Sequence, residues 1–184
     1  MTKLADQFDD PLVELGARLV ETAADRNTMV ATAESCTGGM IATAITEISG
    51  SSAVLDRGFV TYSNEAKSEM LGVAEADIET YGAVSEAVAA AMAEGALARS
   101  NADITISVTG IAGPGGGSAE KPVGLVWFGC ASLWAPTLVM SHQFEDHGRA
   151  AIRGQTTAVA LEILIDTIEA KPASADDENA AGEA

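Results

Sequence analysis

Positive charge is scarce in this chain of 184 residues. Ten Lys and Arg residues stand against 27 Asp and Glu, which gives a formal net charge of −17 at pH 7. The last fourteen residues carry four acids and one lysine, about −3, so about −14 remains on the rest. Such a surface repels nucleic acid and anionic membranes, and we expect neither as a partner. An anionic substrate must then depend on a few locally placed cations.

Cysteines, histidines and long apolar runs are also few. Cys36 and Cys130 lie far apart, so they indicate neither a disulfide framework nor a zinc site, and the two histidines form no metal pattern. We therefore expect no metal and no cofactor. No apolar run is long enough for a membrane span, and the N-terminus lacks the apolar core of a signal peptide. These absences predict a cytoplasmic protein.

Helical and strand patterns alternate along the chain. Apolar residues at helical spacing and runs typical of strands give the following elements, with Ser85 as the N-cap of the helix at 85–100. They are helices at 11–26, 40–48, 64–71, 85–100 and 149–169, and strands at 28–32, 58–62, 103–109, 123–131 and 137–144. The alternation predicts an α/β fold, a single three-layer α/β/α domain whose late strand hairpin makes the β-sheet mixed. We place this domain at 1–170 and an acidic, disordered tail at 171–184.

The segment 33–39, A-E-S-C-T-G-G, lies between the first strand pattern and a helix pattern. It predicts a strand-to-helix turn with Thr37 as the helix N-cap. Such a turn aims side chains and free N–H groups at the space above the sheet edge. From the residues alone, Ser35 fits helix capping as well as catalysis. Cys36 is a competing nucleophile, although it has no evident His partner.

Glycine dominates residues 109–124, T-G-I-A-G-P-G-G-G-S-A-E-K-P-V-G. Neither GxxxxGK[ST] nor GxGxxG spacing is present, and a strand pattern rather than a helix pattern follows. Composition alone favours a flexible surface loop. The loop nevertheless leaves the carboxyl end of a buried strand pattern, which is where α/β sheets place their ligand sites.

Five segments together resemble, in order and spacing, the CinA C-terminal domain family. They are A-E-S-C-T-G-G, G-F-V-T-Y-S-N-E-A-K, L-G-V, Y-G-A-V-S-E and V-T-G-I-A-G-P-G-G-G-S-A-E-K-P-V-G-L-V-W. The resemblance covers about residues 12–168. It implies a CinA-like fold and a nicotinamide-nucleotide amidase, which hydrolyses nicotinamide mononucleotide to nicotinate mononucleotide and ammonia in NAD salvage. The chain lacks the extra N-terminal domain of longer relatives, so we expect a stand-alone amidase. A homodimer is a further expectation from the family.

The resemblance also implies the catalytic residues. The serine that matches Ser35 is the nucleophile, and the lysine that matches Lys67 is its base. From the residues alone, Lys67 fits an exposed position of a short helix. In a partly desolvated pocket, however, a lysine loses its proton more easily and can then activate a serine. N–H groups at the Gly38–Gly39 helix start are expected to stabilise the oxyanion. Other matched family positions are Tyr62, grouped with the catalytic residues, and Ser52, Thr109 and Gly110, grouped with substrate binding.

The resemblance also implies that Arg149 binds the phosphate group of the substrate. Relatives usually read F-x-G-D-R before the last helix, whereas this chain reads F-E-D-H-G-R, one residue longer. The following R-A-A-I-R keeps the family's spacing, and an arginine at a helix N-terminus can join free N–H groups in holding a phosphate.

Two other functions stay open. One is a non-enzymatic partner domain in competence or DNA-damage responses, and the other is an amidase with a different substrate.

Overall fold

The structure is a computed structural model that describes residues 10–173. Helices and strands alternate along this part of the chain, as the sequence predicts. The α-helices are α1 (Asp10–Asp25), α2 (Met40–Thr46), α3 (Asn64–Leu71), α4 (Glu75–Tyr81), α5 (Glu86–Ala98) and α6 (Arg149–Glu169). The strands are β1 (Val30–Glu34), β2 (Leu55–Val60), β3 (Ile104–Gly110), β4 (Leu125–Ser132) and β5 (Leu138–Gln143), and a 3₁₀ turn covers Ser51–Ala53.

The five strands form one mixed sheet in the order β2-β1-β3-β4-β5. The first three are parallel, and β4 and β5 join the edge as an antiparallel hairpin. Every residue of β1 is buried, as is nearly all of β3, because helices cover both faces of the sheet there. The predicted mixed sheet with a late hairpin is confirmed.

Helices pack on both faces of this sheet. α1, α2 and α6 lie on one face, where Leu12, Leu19 and Val20 of α1 are buried as their spacing predicts. α3, α4 and α5 lie on the other face around a second apolar cluster that includes Ala33, Leu71 and Met92. The α/β fold class and its three-layer arrangement are therefore confirmed.

α5 lies unusually close to the sheet because glycine and small hydroxyl residues face it. A Cβ added at Gly129 of β4 would stand 2.4 Å from the Ala89 carbonyl oxygen of α5. The Ser107 hydroxyl donates to that same carbonyl at 2.6 Å. Helix and strand are thus joined by a hydrogen bond as well as by packing, which fixes α5 beside the carboxyl end of β3.

Some element boundaries differ from the sequence-based expectation. α2 begins at Met40 with Gly39 as its N-cap, so the prediction of Thr37 as the cap is wrong. The short helix α4 was not predicted, because it carries little apolar periodicity and follows the left-handed residue Gly72. The Ser85 cap is confirmed, since its hydroxyl accepts from the Val88 N–H.

The chain still packs with the domain one residue beyond the predicted boundary at residue 170. The Lys171 ammonium donates to the Arg26 carbonyl at 3.1 Å and to the Thr28 hydroxyl at 2.9 Å, and it lies over the Trp134 ring. Lys171 therefore packs with the domain, although we placed it in the tail. Residues 174–184 of the predicted tail lie outside the described residues. No helix within 10–173 is long and apolar enough to cross a membrane.

Candidate active site

The site lies at the carboxyl edge of the three parallel strands. Ser35 is the first residue after β1, and its N–H donates to the Val108 carbonyl of β3 at 3.0 Å. On the other side of β1, the Thr61 N–H donates to the Glu34 carbonyl at 2.8 Å. These bonds extend the sheet beyond its strands and hold Ser35 between β2 and β3. Because side chains alternate along a strand, Ser35 points to the same face as Ala33, toward α3.

Ser35 meets Lys67 on that face. The Lys67 Nζ lies 3.1 Å from the Ser35 Oγ, 2.8 Å from the Thr61 carbonyl oxygen and 3.4 Å from the Ser63 carbonyl oxygen. Ser63 also caps α3, since its hydroxyl accepts from the Ala66 N–H at 3.0 Å. The structure therefore brings together the two residues that the resemblance singles out, and α3 holds the lysine in place.

The surroundings of Lys67 make its ammonium easier to deprotonate. Only 1% of its surface is exposed, and burial lowers the pKa of its ammonium below the usual 10.5. Among residues 10–173 it forms no ion pair with a carboxylate. A neutral amine can donate to the Thr61 and Ser63 carbonyls and turn its lone pair to the Ser35 hydroxyl. This is the arrangement that a general base requires.

Burial has the opposite effect on the pKa of the neighbouring Cys36 thiol, which it raises. Burial raises its pKa to about 11, although the adjacent N–H groups of Cys36 and Thr37 oppose the rise. The side chain is 5% exposed and belongs to the apolar cluster beneath α6. A thiol with this pKa stays protonated near neutral pH and is a poor nucleophile. The geometry thus favours Ser35 over Cys36.

Glu34 has a structural role that the sequence did not suggest to us. Its carboxylate is fully buried and accepts from the N–H groups of Gly39 at 3.0 Å, Ile41 at 3.1 Å and Ala42 at 2.9 Å. It also accepts from the Thr32 hydroxyl at 3.2 Å. Glu34 therefore caps α2 from within the sheet. A carboxylate at the end of a buried strand, four residues before Gly38, was the available signal.

This cap changes the expected role of the two glycines. The Gly39 N–H is bound to Glu34, and the Gly38 N–H donates to the Ser35 carbonyl at 3.1 Å. The expectation that their N–H groups are free for an oxyanion is therefore wrong. Their φ angles are +62° and +98°, so the turn needs glycine for its left-handed backbone. Their contact with a substrate stays a prediction.

Arg153 of α6 is a second residue that sequence reasoning missed. Its Nε donates to the Cys36 carbonyl at 3.1 Å, and its Nη2 donates to the Thr37 carbonyl at 2.6 Å. The turn after Ser35 is thus held from two sides, by the Glu34 carboxylate and by this guanidinium. The segment R-A-A-I-R contains both arginines, but the resemblance pointed only to Arg149.

Arg149 and Tyr62 meet at the rim of the site. Arg149 donates from Nη2 to the Tyr62 hydroxyl at 2.8 Å and from Nη1 to the Gly113 carbonyl at 2.9 Å. Both acceptors are neutral, so the positive charge of Arg149 is not cancelled by either of them. α6 begins at Arg149 after Gly148, which provides no side-chain cap. The extra residue therefore lies in the loop before α6, and Arg149 is still the first residue of the helix.

Thr109 and Gly110 lie at the same sheet edge, at the end of β3. The Thr109 hydroxyl donates to the Ala83 carbonyl at 2.7 Å, so it ties β3 to the segment before α5. Gly110 packs tightly, since an added Cβ would stand 2.6 Å from a Val126 methyl carbon. Both positions are structural in this chain, and their contact with a substrate stays a prediction.

Ser52 is not part of this arrangement. It lies in the 3₁₀ turn before β2, at the end of the sheet where Val30 pairs with Leu55. Ser35 lies beyond the opposite end of β1, and five residues of strand separate the two ends by about 16 Å. Grouping Ser52 with Ser35 within one chain is therefore wrong. The family resemblance matched its position in sequence but could not give its place in space.

Acidic and imidazole groups do not converge near the site. Within residues 10–173, no group of three or more His, Cys, Asp or Glu side chains is placed to hold a metal ion. His147 pairs instead with the exposed Glu145 at 3.1 Å, in the loop before α6. The chemistry available at the sheet edge is that of a hydroxyl, an amine, a guanidinium and backbone N–H groups.

A buried lysine against a serine, at the carboxyl edge of a mixed α/β/α sheet, defines an α/β protein with an enzyme-type site. Residues 13–168 match the CinA C-terminal domain. The chain belongs to this family, as its five sequence segments predict.

Curated relatives carry a more specific description. The chain is 55% identical to nicotinamide-nucleotide amidohydrolase PncC of Enterobacter agglomerans, over 83% of this chain and 90% of that protein. It is 49% identical to the protein of the same name from Escherichia coli K12, over 85% of this chain and 94% of that protein. The crystal structure of competence/damage inducible protein CihA from Agrobacterium tumefaciens superposes with a TM-score of 0.85 at 52% identity, covering 88% and 98% of the two chains.

Proposed function

We propose that this chain is a nicotinamide-nucleotide amidohydrolase that uses Ser35 as its nucleophile and Lys67 as its base. The observation that carries the proposal is the 3.1 Å contact between the Lys67 Nζ and the Ser35 Oγ, with the lysine buried. The PncC relatives supply the substrate class, because their names state that they act on nicotinamide nucleotides. The fold and the family are shared over most of both chains.

The reaction follows from the two side chains. The neutral Lys67 amine takes the Ser35 proton as the Ser35 Oγ bonds to the carboxamide carbon, and the carbonyl oxygen becomes an oxyanion. When the C–N bond breaks, the lysine gives that proton to the leaving nitrogen, and ammonia departs. Water, deprotonated by the same amine, then attacks the carbonyl carbon of the Ser35 ester. The bond from that carbon to the Ser35 Oγ breaks, and the lysine returns the proton to the Ser35 oxygen. The products are the free acid and the regenerated serine, so one carboxamide and one water yield one carboxylic acid and one ammonia.

Arg149 supplies the cation that an anionic nucleotide needs on this acidic protein. It lies at the first residue of α6, a helix of 21 residues whose N-terminal N–H groups have no side-chain cap. A guanidinium beside such a helix start is suited to a phosphate group. The Tyr62 hydroxyl and the Gly113 carbonyl, which hold Arg149 now, orient it across the rim of the site.

Ammonia release from nicotinamide mononucleotide tests this function directly. The purified chain should release ammonia and nicotinate mononucleotide, detected by a coupled ammonia assay and by chromatography. The Ser35→Ala variant should fold normally and release neither product above background. Ammonia release by Ser35→Ala at the wild-type rate would refute the nucleophile, whereas a silent wild-type protein would refute the substrate class.

A further inference from the structure

The turn after Ser35 is held by two charged side chains, those of Glu34 and Arg153. Glu34 accepts from the N–H groups at the start of α2, and Arg153 donates to the carbonyls of Cys36 and Thr37. One side chain thus binds the donors of this segment and the other binds its acceptors. The turn is fixed from the α2 side and from the α6 side at once.

Arg153 sets the direction of two peptide planes. In a trans peptide the N–H points opposite to the carbonyl of the same unit. With the Cys36 and Thr37 carbonyls drawn to Arg153, the N–H groups of Thr37 and Gly38 are turned away from its guanidinium. The Gly38 N–H then closes the turn on the Ser35 carbonyl at 3.1 Å. In the part of the chain that the structure describes, the Thr37 N–H has no such oxygen partner.

Two donors of the turn remain uncommitted. Among residues 10–173, neither the Cys36 N–H nor the Thr37 N–H donates to an oxygen. Both lie near the Cys36 sulfur, where they oppose the rise in its pKa, and a thiol sulfur is a weak acceptor. The Thr37 hydroxyl is also buried with no partner in the described chain. Unpaired buried polar groups are costly, which points to a ligand that pairs with them.

We propose that Arg153 is a positioning residue that holds the Thr37 N–H group ready to receive the oxyanion formed at Ser35, beside the Cys36 N–H, whose peptide unit is held by the hydrogen bond from the Gly38 N–H to the Ser35 carbonyl. This inference rests on the proposed amidase function and adds to it the donors and the residue that orients them. Preorganised backbone donors stabilise charge that appears only in the transition state. Losing Arg153 should therefore slow turnover without weakening substrate binding.

The test compares Arg153→Met with Arg153→Lys and with Arg18→Met as a matched control. Methionine keeps an unbranched apolar stem but is shorter and cannot donate, and lysine restores one donor group. Arg18 is also an arginine at the α1–α6 contact, but it pairs with Glu169 on the exposed surface. We expect Arg153→Met to lower kcat about 100-fold with KM changed less than threefold. Arg153→Lys should recover part of kcat, and Arg18→Met should match wild type.

A structural readout separates this inference from the proposed function. The ¹H–¹⁵N resonances of Thr37 and Gly38 should shift in Arg153→Met and stay in place in Arg18→Met, whether or not the wild type releases ammonia. Unchanged resonances would overturn the positioning role, as would a kcat within threefold of wild type. A rise in KM equal to the loss of kcat would instead assign Arg153 to substrate binding. If Arg153→Met does not fold, Arg153→Lys provides both measurements.

Discussion

Replacing Lys67 by methionine removes the base and leaves its space filled. The amine now contacts the Ser35 hydroxyl at 3.1 Å and two backbone carbonyls, with 1% of the residue exposed. A positioned general base contributes about 10² to 10⁴ in rate, or about 3 to 5 kcal/mol of barrier. We therefore expect Lys67→Met to lose at least 100-fold in kcat for nicotinamide mononucleotide, measured as ammonia release.

The pH dependence of the wild-type enzyme is an independent test of Lys67 as the base. Burial lowers the pKa of the Lys67 ammonium, so the neutral base forms below the ordinary lysine value of 10.5. The wild-type kcat should rise with pH along one ionisation whose midpoint lies below that value. In the window between the folded and unfolded pKa, the unfolded chain binds the extra proton, so the free energy of unfolding increases with pH. Lys67→Met should lose this increase.

Two results would refute this reasoning about Lys67. If Lys67→Met keeps more than a tenth of the wild-type kcat, another group takes the serine proton. If the wild-type kcat is flat up to pH 10 while the variant is inactive, Lys67 acts by position or charge and not as a titrating base. Circular dichroism and thermal unfolding of the variant at pH 7 and pH 9.5 exclude loss of folding as the cause.

Three further outcomes follow from the site. Cys36→Ala should keep at least a third of the wild-type kcat, because its thiol is protonated and buried; an inactive but folded Cys36→Ala beside an active Ser35→Ala would reverse their roles. Arg149→Ala should lower kcat/KM for nicotinamide mononucleotide by about 1.5 to 3 kcal/mol, the range for a hydrogen bond to a charged group, and leave turnover of nicotinamide riboside almost unchanged. Equal losses on both substrates would remove Arg149 from phosphate binding. Glu34→Gln should lower the free energy of unfolding by about 2 to 3 kcal/mol in urea titrations, because its amide cannot accept all four hydrogen bonds; an unchanged midpoint would contradict its capping role.

Local sequence patterns were sufficient to predict the bounds of helices whose caps and apolar spacing lie within the helix itself. α3 and α6 begin and end where the sequence predicts, and Ser85 caps α5 through its own hydroxyl. The start of α2 was misplaced because its cap comes from Glu34 in the neighbouring strand and not from a residue of the turn. A cap supplied by a buried strand residue leaves no trace in the usual Ser, Thr, Asp or Asn position.

The candidate site required information beyond composition and spacing. Nothing in a short polar helix indicates that Lys67 is buried, since most lysines in such helices are exposed. The family resemblance singled it out, and the structure gives its contacts. The same resemblance did not give the place of Ser52, which within one chain lies at the far end of the sheet from Ser35. Arg153 was missed because its partners are backbone carbonyls, which carry no residue-specific signal in a sequence.

The anchoring of Lys171 determines where this protein can be attached to a support or to another protein. α6 runs from Arg149 at the rim of the site to Glu169, a length of about 32 Å, and the chain is then fastened beside Thr28 at the opposite end of the sheet. A fusion partner or surface linker joined after residue 173 therefore starts on the side facing away from Ser35. Immobilisation through this end should leave the rim of the site open to small molecules.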